Sequence, residues 1–226
     1  MRILSDSSAA PAEVVAAHVA LPDARPPDRA LVRLNMISSV DGGSAVAGLS
    51  SGLGDATDHD VFAALRAQAD VVLVGMSTAA AEHYHPPTTA GQQIYVVTSK
   101  ADISPNPDLF ATGRATLVLP ADADPAPDGV PTLRVGSGGR VDLGAVVAGL
   151  VGRVVLAEGG PTLAGLMVAG GLIDEFFLTF ASRVIGGDSA RVVHGGEADP
   201  APWDLVHGFE DERGFLFLRY RRPHAS

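Results

Sequence analysis

The passage RVVLAEGGPTLAGL (153–166) holds the densest run of residues fit for chemistry. An apolar strand-like segment delivers Glu158, then Gly159 and Gly160, just where Pro161, Thr162 and Leu163 open a helix. Backbone N–H groups at a helix start, approached through glycines without side chains, form a seat for phosphate or pyrophosphate. The spacing is neither G-x-G-x-x-G nor G-x-x-x-x-G-K-[ST], so the two commonest glycine-rich phosphate motifs lose support. Taken alone, the passage reads equally well as a plain strand-to-helix turn.

Two other apolar runs end on groups that suit the same ligand. VVLVG (71–75) stops at Gly75, with Thr78 just beyond, and YVVTSK places Thr98, Ser99 and Lys100 after its strand. Ligands of open α/β sheets bind beyond the carboxyl ends of strands, so the three ends together suit an extended phosphorylated ligand. Ser99 and Lys100 suit a 2′-phosphate, although a lysine in a loop is more often a solvated charge. Glu82, His83 and His85 share a Pro-rich loop, but no third ligand stands at a recognisable spacing, and no metal is expected. His18, His59, His194, His207 and His224 are scattered and read as surface or internally satisfied residues. Asp41 is explained by an Asp-Gly turn. The Phe residues 176, 177, 180, 215 and 217 fall at strand spacing and belong to the core or a dimer interface.

These residues need elements to hold them. Strands are expected at 31–40, 71–75, 93–100, 116–120, 132–135 and 153–160, with two longer ones from Glu175 and from Gly214. Helices are expected at 11–20, from a Thr57/Asp60 capping box to near Asp70, after an Asp142 cap, and from Thr162 to Gly170-Gly171. Residues 76–91 read as loop with a helical turn. Strands alternating with helices make an α/β domain with a largely parallel sheet. The last two strands have no helix between them, so they pair antiparallel at one edge. Residues 1–30 form a helix and a Pro-rich linker, and 31–226 one domain.

The chain has 226 residues, 46% hydrophobic and 19% charged, which excludes disorder. A formal net charge of −10 argues against nucleic acid or an anionic membrane as the main partner. Cysteine is absent, which removes disulfides, thiol nucleophiles, Cys-ligated zinc and iron–sulfur clusters. The first residues hold no apolar run long enough for a signal-peptide core, and no segment reaches the length of a membrane span; a cytoplasmic protein is expected.

RLNMISSVDGG…AGLSSGL, VFAALRAQADVVLVGMSTAAAE and VVLAEGGPTLAGLMVAGGLIDEFFLTFASRVIGG, in this order, resemble the reductase domain of bacterial riboflavin biosynthesis. That domain is the C-terminal half of a bifunctional deaminase–reductase. The resemblance implies a dihydrofolate-reductase-like three-layer α/β/α fold, with a mostly parallel mixed sheet and an antiparallel C-terminal edge. It also implies NADPH, hydride transfer to a ribosylamino-pyrimidine 5′-phosphate, and a homodimer. By the same resemblance Ile37 touches the nicotinamide, Ser50 and Arg66 contact substrate, Thr78 and Ser99 contact cofactor, and Gly160–Leu166 hold the pyrophosphate. Gly52 stands where many members carry a cofactor-packing tryptophan, and Glu158 matches a substrate-side glutamate.

The sequence departs from its relatives on the substrate side. Glu82, His83, Tyr84, His85 and Pro86 replace an Asp-Asp-Pro motif, Thr89 falls near a missing arginine, and Asn35 replaces a first-strand lysine. The expectation is an NADPH-dependent reductase of a pyrimidine-type substrate. Glu158 and Asn35 would be its catalytic residues, and Ser50 and Arg66 would hold the substrate. Ile37, Gly52, Gly75, Thr78, Glu82, Thr98, Ser99, Lys100 and Gly159 through Leu163 would hold the cofactor. The alternatives are a dihydrofolate or other pterin reductase, or a dinucleotide-binding module without turnover. Arg66 has a competing reading as a surface pair with Asp70, one helical turn on.

Overall fold

The computed structural model describes residues 11–197 and 200–223; His224 and the first ten residues, read above from sequence, lie outside them. Helix α1 (Pro11–Val19) leads through a linker to β1 (Leu31–Ser39). A 3₁₀ turn (Ser50–Gly52) and α2 (Ala56–Ala67) connect to β2 (Val71–Gly75). Helix α3 (Met76–Ala81) and a loop precede β3 (Gln93–Val97), β4 (Ala115–Leu119) and β5 (Thr132–Arg134). A ribbon of β6 (Gly136–Ser137) and β7 (Arg140–Val141) leads into α4 (Leu143–Ala148) and β8 (Val154–Ala157). Then come α5 (Pro161–Ala169), β9 (Glu175–Ala181), β10 (Asp204–Glu210) and β11 (Leu216–Arg221).

Among the described residues nine strands form one sheet in the order β10-β11-β9-β1-β8-β2-β3-β4-β5. β9 to β5 run parallel, while β11 pairs antiparallel with both β9 and β10. The expected mixed sheet with an antiparallel C-terminal edge is therefore present. The edge strand β10, like the short β6–β7 ribbon, is an element the sequence did not announce. Its residues are mostly half-buried and a bulge interrupts them between Leu205 and His207, so no clean alternation marks it. Pairing with β11 creates the strand.

Strand alternation divides the core. Val32, Leu34 and Met36 of β1, with Val155 and Ala157 of β8, face α4 and α5. Ile37 and Leu156 look to the opposite side, where α1 and α2 pack, and farther along that side Val72, Val74 and Val96 lie under α3. β2 and β8 are apolar on both faces because helices cover both faces. Asp142 caps α4 as expected, accepting from Ala145 N at 3.0 Å. The capping of α2 differs from expectation: its N-cap is Asp55, which accepts from Asp58 N at 2.9 Å, and Thr57 lies inside the helix.

A buried polar cluster secures α1. Glu175 accepts from Arg33, Arg219 and Arg221 at 3.1, 2.6 and 3.1 Å. Arg33 and Arg219 also donate to the carbonyls of Val19 and His18 at the end of α1, where the helix dipole favours cations. His18 Nδ1 lies 3.0 Å from His207 Nδ1, so one ring donates and the other accepts, which requires a neutral acceptor. Burial, reinforced by His207, Arg219 and Arg33, lowers the His18 pKa to about 3.

The unfolded chain takes up this proton near pH 6.5 and the folded one only near 3, so stability is full above that window and falls as pH drops through it. At pH 5 the loss should be about 2 kcal/mol relative to pH 8, read by urea unfolding, and His18→Leu should flatten most of it. A wild-type stability unchanged between the two pH values would refute the assignment.

Candidate active site

β8 lies between β1 and β2; it leads into α5 on one face of the sheet, whereas β1 and β2 lead to α2 and α3 on the other. A crevice opens at such a place in α/β sheets. Here it is a cavity of about 980 Å³, lined by Asn35, Ile37, Ser50, Arg66, Thr78, Glu158 and neighbours. Its size is at the top of the roughly 300–1,000 Å³ usual for small-molecule sites.

The floor is the junction after β8. Glu158 N donates to Leu73 O and Gly75 N to Gly159 O, at 3.0 and 2.9 Å, so the loop continues the β2–β8 pairing. Gly159 has φ +84°, where a side chain is strained, and a Cβ there would meet Met36 Sδ at 2.8 Å. Gly160 is the N-cap of α5 and supplies no side-chain cap; a Cβ on it would lie 2.5 Å from Thr78 Oγ1. Pro161 at the first helical position has no N–H to leave unsatisfied. The α5 N-terminus thus presents bare backbone toward Thr78.

The Glu158 carboxylate is held by three hydrogen bonds from two side chains. Arg66 Nε and Nη2 reach Oε1 and Oε2 at 2.7 and 2.6 Å, and Tyr84 Oη donates to Oε2 at 2.5 Å. The Arg66 guanidinium sits 4.6 Å from the Phe62 ring centroid and 4.8 Å from that of Tyr84. Burial opposes the Arg66 charge, but the Glu158 hydrogen bonds and attraction outweigh it and raise its pKa. Burial, and then the nearby Glu158 charge, raise that of Tyr84. The carboxylate accepts every one of these bonds.

Arg66 therefore pairs with Glu158; Asp70 instead accepts from Val154 N at 2.8 Å. Ser50 N donates to Glu82 Oε1 at 2.6 Å, tying the 3₁₀ turn to the end of α3. Sequence reasoning misses Tyr84. Its one local sign is an aromatic residue between two histidines in a loop too Pro-rich for regular structure. That loop is fixed by Asn106, which donates to Ala79 O and Tyr84 O, both at 2.9 Å.

Several expected residues stand apart from the cavity. Thr98, Ser99 and Lys100 lie at the end of β3, outside its lining, and the Thr98 hydroxyl accepts from Lys100 N at 3.2 Å. Gly52 does not line it either; its carbonyl accepts from Arg183 at 2.8 Å. Thr162 is exposed and Leu163 buried in the core, so only their backbone N–H groups can serve a ligand. His83 and His85 line the cavity, and no group of three or more His, Cys, Asp or Glu able to hold a metal occurs among the described residues.

Residues 30–217 match the RibD C-terminal domain family. The chain belongs to that family. A curated relative, the 2,5-diamino-6-ribosylamino-4(3H)-pyrimidinone 5′-phosphate reductase of Methanothermobacter thermautotrophicus, is 29% identical over 184 residues, covering 75% of this chain and 85% of its own. A pyrimidine reductase-like protein of Corynebacterium diphtheriae superposes with TM-score 0.79 at 20% identity, covering 96% of this chain and all of its own. Dihydrofolate reductase of Enterococcus faecalis gives TM-score 0.54 at 16% identity over 86% of this chain and 97% of its own. At these identities the two structures establish the fold, which is dihydrofolate-reductase-like. This RibD-type chain is an oxidoreductase of the pyrimidine-reductase kind, and its family uses a nicotinamide dinucleotide. No helix among the described residues is long and apolar enough to cross a membrane.

Proposed function

We propose that the protein uses NADPH to reduce a ribosylamino-pyrimidine, the kind of compound named for the methanogen relative. The observation that carries this reading is the junction of Glu158, Gly159 and Gly160, beside the cavity at the carboxyl ends of β1, β8 and β2. The residues present fit a dinucleotide: the α5 N-terminus has no side-chain cap, and a Cβ on Gly160 would fill the space before Thr78. The cofactor, when bound, supplies the hydride.

The chain does the rest. Backbone N–H groups of Thr162 and Leu163 would receive a phosphate, with the Thr78 hydroxyl beside them. Ile37, on the same side of β1 as Asn35, gives the nicotinamide an apolar wall. Asn35 would hydrogen-bond the substrate, and Glu158, fixed by Arg66 and Tyr84, would take N–H donors of its ring through the lone pairs left to it. The Glu158 carboxylate accepts from Arg66 and Tyr84, and water would supply the proton that accompanies the hydride. The test is NADPH oxidation on adding a ribosylamino-pyrimidine, with dihydrofolate as the competing substrate; NADPH binding without oxidation by either would leave only a binding module.

Ser99 and Lys100 are exposed at the end of β3. Their hydroxyl and ammonium suit a 2′-phosphate, and NADPH should bind more tightly than NADH by about tenfold to a hundredfold. Equal affinities in calorimetric titration would remove these residues from the site. The same reading makes the protein a cytoplasmic homodimer acting on a small molecule, with no nucleic-acid or membrane partner. Val40 and Val184 are 62% and 75% exposed, and Val40 N donates to the carbonyl of Arg183, the residue before Val184; they support a surface that a second copy would cover.

A further inference from the structure

Reduction needs a proton as well as a hydride, and Asp58 brings to the cavity a carboxyl that stands apart from the Arg66–Glu158 pair. It lines the cavity from the first turn of α2. An acid three residues after a helix cap ordinarily turns back to the backbone of the cap. The Asp58 carboxyl is instead hydrogen-bonded by the Thr179 hydroxyl on β9. A Cβ on Gly54, another lining residue, would lie 2.8 Å from Asp58 Oδ2, so the bare glycine leaves the room that this carboxyl occupies.

The bond to Thr179 fixes where the carboxyl sits. Thr179 is paired with Ile37 in the β1–β9 register, and residues paired across neighbouring strands share a face of the sheet. Asp58 therefore stands over the face that carries Ile37 and Asn35, the wall proposed for nicotinamide and substrate. Its surroundings favour the protonated form. Burial pushes the carboxyl above its ordinary range and the Asp55 charge adds to the rise, against the Thr179 hydroxyl and His59. Asp55 is itself raised by burial and by the Asp211 carboxyl, with the Asp58 N–H and Arg213 opposing. Among the described residues no arginine or lysine pairs with Asp58: Arg66 is taken by Glu158, and Arg213 lies 4.0 Å from Asp55.

We infer that Asp58 is a catalytic acid of this site, the source of the proton that water passes to the substrate. The inference rests on the reductase reading and assigns its proton. In a C=N bond under reduction the carbon receives the hydride and the nitrogen is left with an electron pair to protonate. That nitrogen takes a proton from water, and the water takes one from the Asp58 carboxyl. The C=N bond becomes CH–NH at the expense of one dihydronicotinamide and one proton, and solvent reprotonates the carboxylate before the next turnover.

The test is the pH dependence of NADPH oxidation with a ribosylamino-pyrimidine 5′-phosphate, together with a titration of the protein alone. Wild-type kcat should fall about tenfold per unit as pH rises through the ionisation of Asp58. Asp58→Asn, close in size to the wild type, should lose about 10²-fold in kcat, and the pH-dependent limb with it. Its NADPH affinity in calorimetry should stay within a few-fold of wild type. Asp58→Glu, which restores a carboxyl, should regain part of the rate and the limb. Without cofactor, the infrared difference between wild type and Asp58→Asn should keep a protonated-carboxyl band well above about pH 4, where a free aspartic acid is half ionised. Turnover of Asp58→Asn within a few-fold of wild type, an unchanged pH limb, or an Asp58 that ionises like a free acid would each overturn the inference and leave the reductase reading intact. A wild-type protein that binds NADPH but oxidises it with no ribosylamino-pyrimidine would overturn that reading, and this inference with it.

Discussion

Replacing Gly160 with valine should weaken NADPH binding by about 10²–10⁴-fold and leave the circular dichroism of the protein unchanged. The glycine caps α5 with backbone alone, and any Cβ there would come within 2.5 Å of Thr78 Oγ1. A branched side chain fills the space through which a phosphate must approach the Thr162 and Leu163 N–H groups. Without those two charge-assisted hydrogen bonds, each worth about 1.5–3 kcal/mol, affinity falls by that range. The φ of Gly160 is −68°, which valine adopts without strain, so the damage stays local to the junction. Thr78→Ser, which keeps the hydroxyl, should bind NADPH nearly as the wild type does. A Gly160→Val protein with normal affinity in calorimetry would reduce the junction to an ordinary turn.

Removing the Glu158 side chain should be nearly as damaging, on turnover instead of cofactor affinity. In Glu158→Ala the Arg66 guanidinium and the Tyr84 hydroxyl lose their shared acceptor, and the ring donors of the substrate lose theirs. Leaving a partly buried charge and its hydrogen-bonding partner unmatched costs about 3–4 kcal/mol, which as transition-state binding is about 10²–10³ in kcat/KM. NADPH affinity should change little, because no atom of Glu158 belongs to the α5 terminus. Glu158→Gln keeps one acceptor oxygen and should fall between the two. The check is steady-state kinetics beside cofactor titration; an alanine variant within a few-fold of wild type would show that the carboxylate only secures Arg66.

The central strands were legible because burial on both faces writes itself locally: VVLVG and VVLA need no partner to be recognised. The Asp142 cap and the glycine junction were legible for the same reason, since their function lies within a few residues. The site's central contacts were not. Arg66 and Tyr84 meet Glu158 across 92 and 74 positions of chain, and nothing near either residue points to that carboxylate. The nearest acid to Arg66 in sequence, Asp70, suggested the wrong partner. His18 and His207, 189 positions apart, were readable only as satisfied residues, without the partner that satisfies them. β10 failed for a related reason: its strand character is conferred by β11 and leaves little trace in its own residues.

The sheet order has a consequence for synthesis on the ribosome. β8 is the shared neighbour of β1 and β2, yet it begins at Val154, and the other neighbour of β1 begins only at Glu175. A nascent chain that has released its first 150 residues therefore holds β2 through β5 as a pairable set, while β1 has no strand beside it. Its apolar faces and open edge wait for the last third of the chain, a state that invites pairing with another copy. Codon changes that slow translation between α4 and β9 should prolong that interval, and a chaperone that shields apolar strands would act on the protein at that stage.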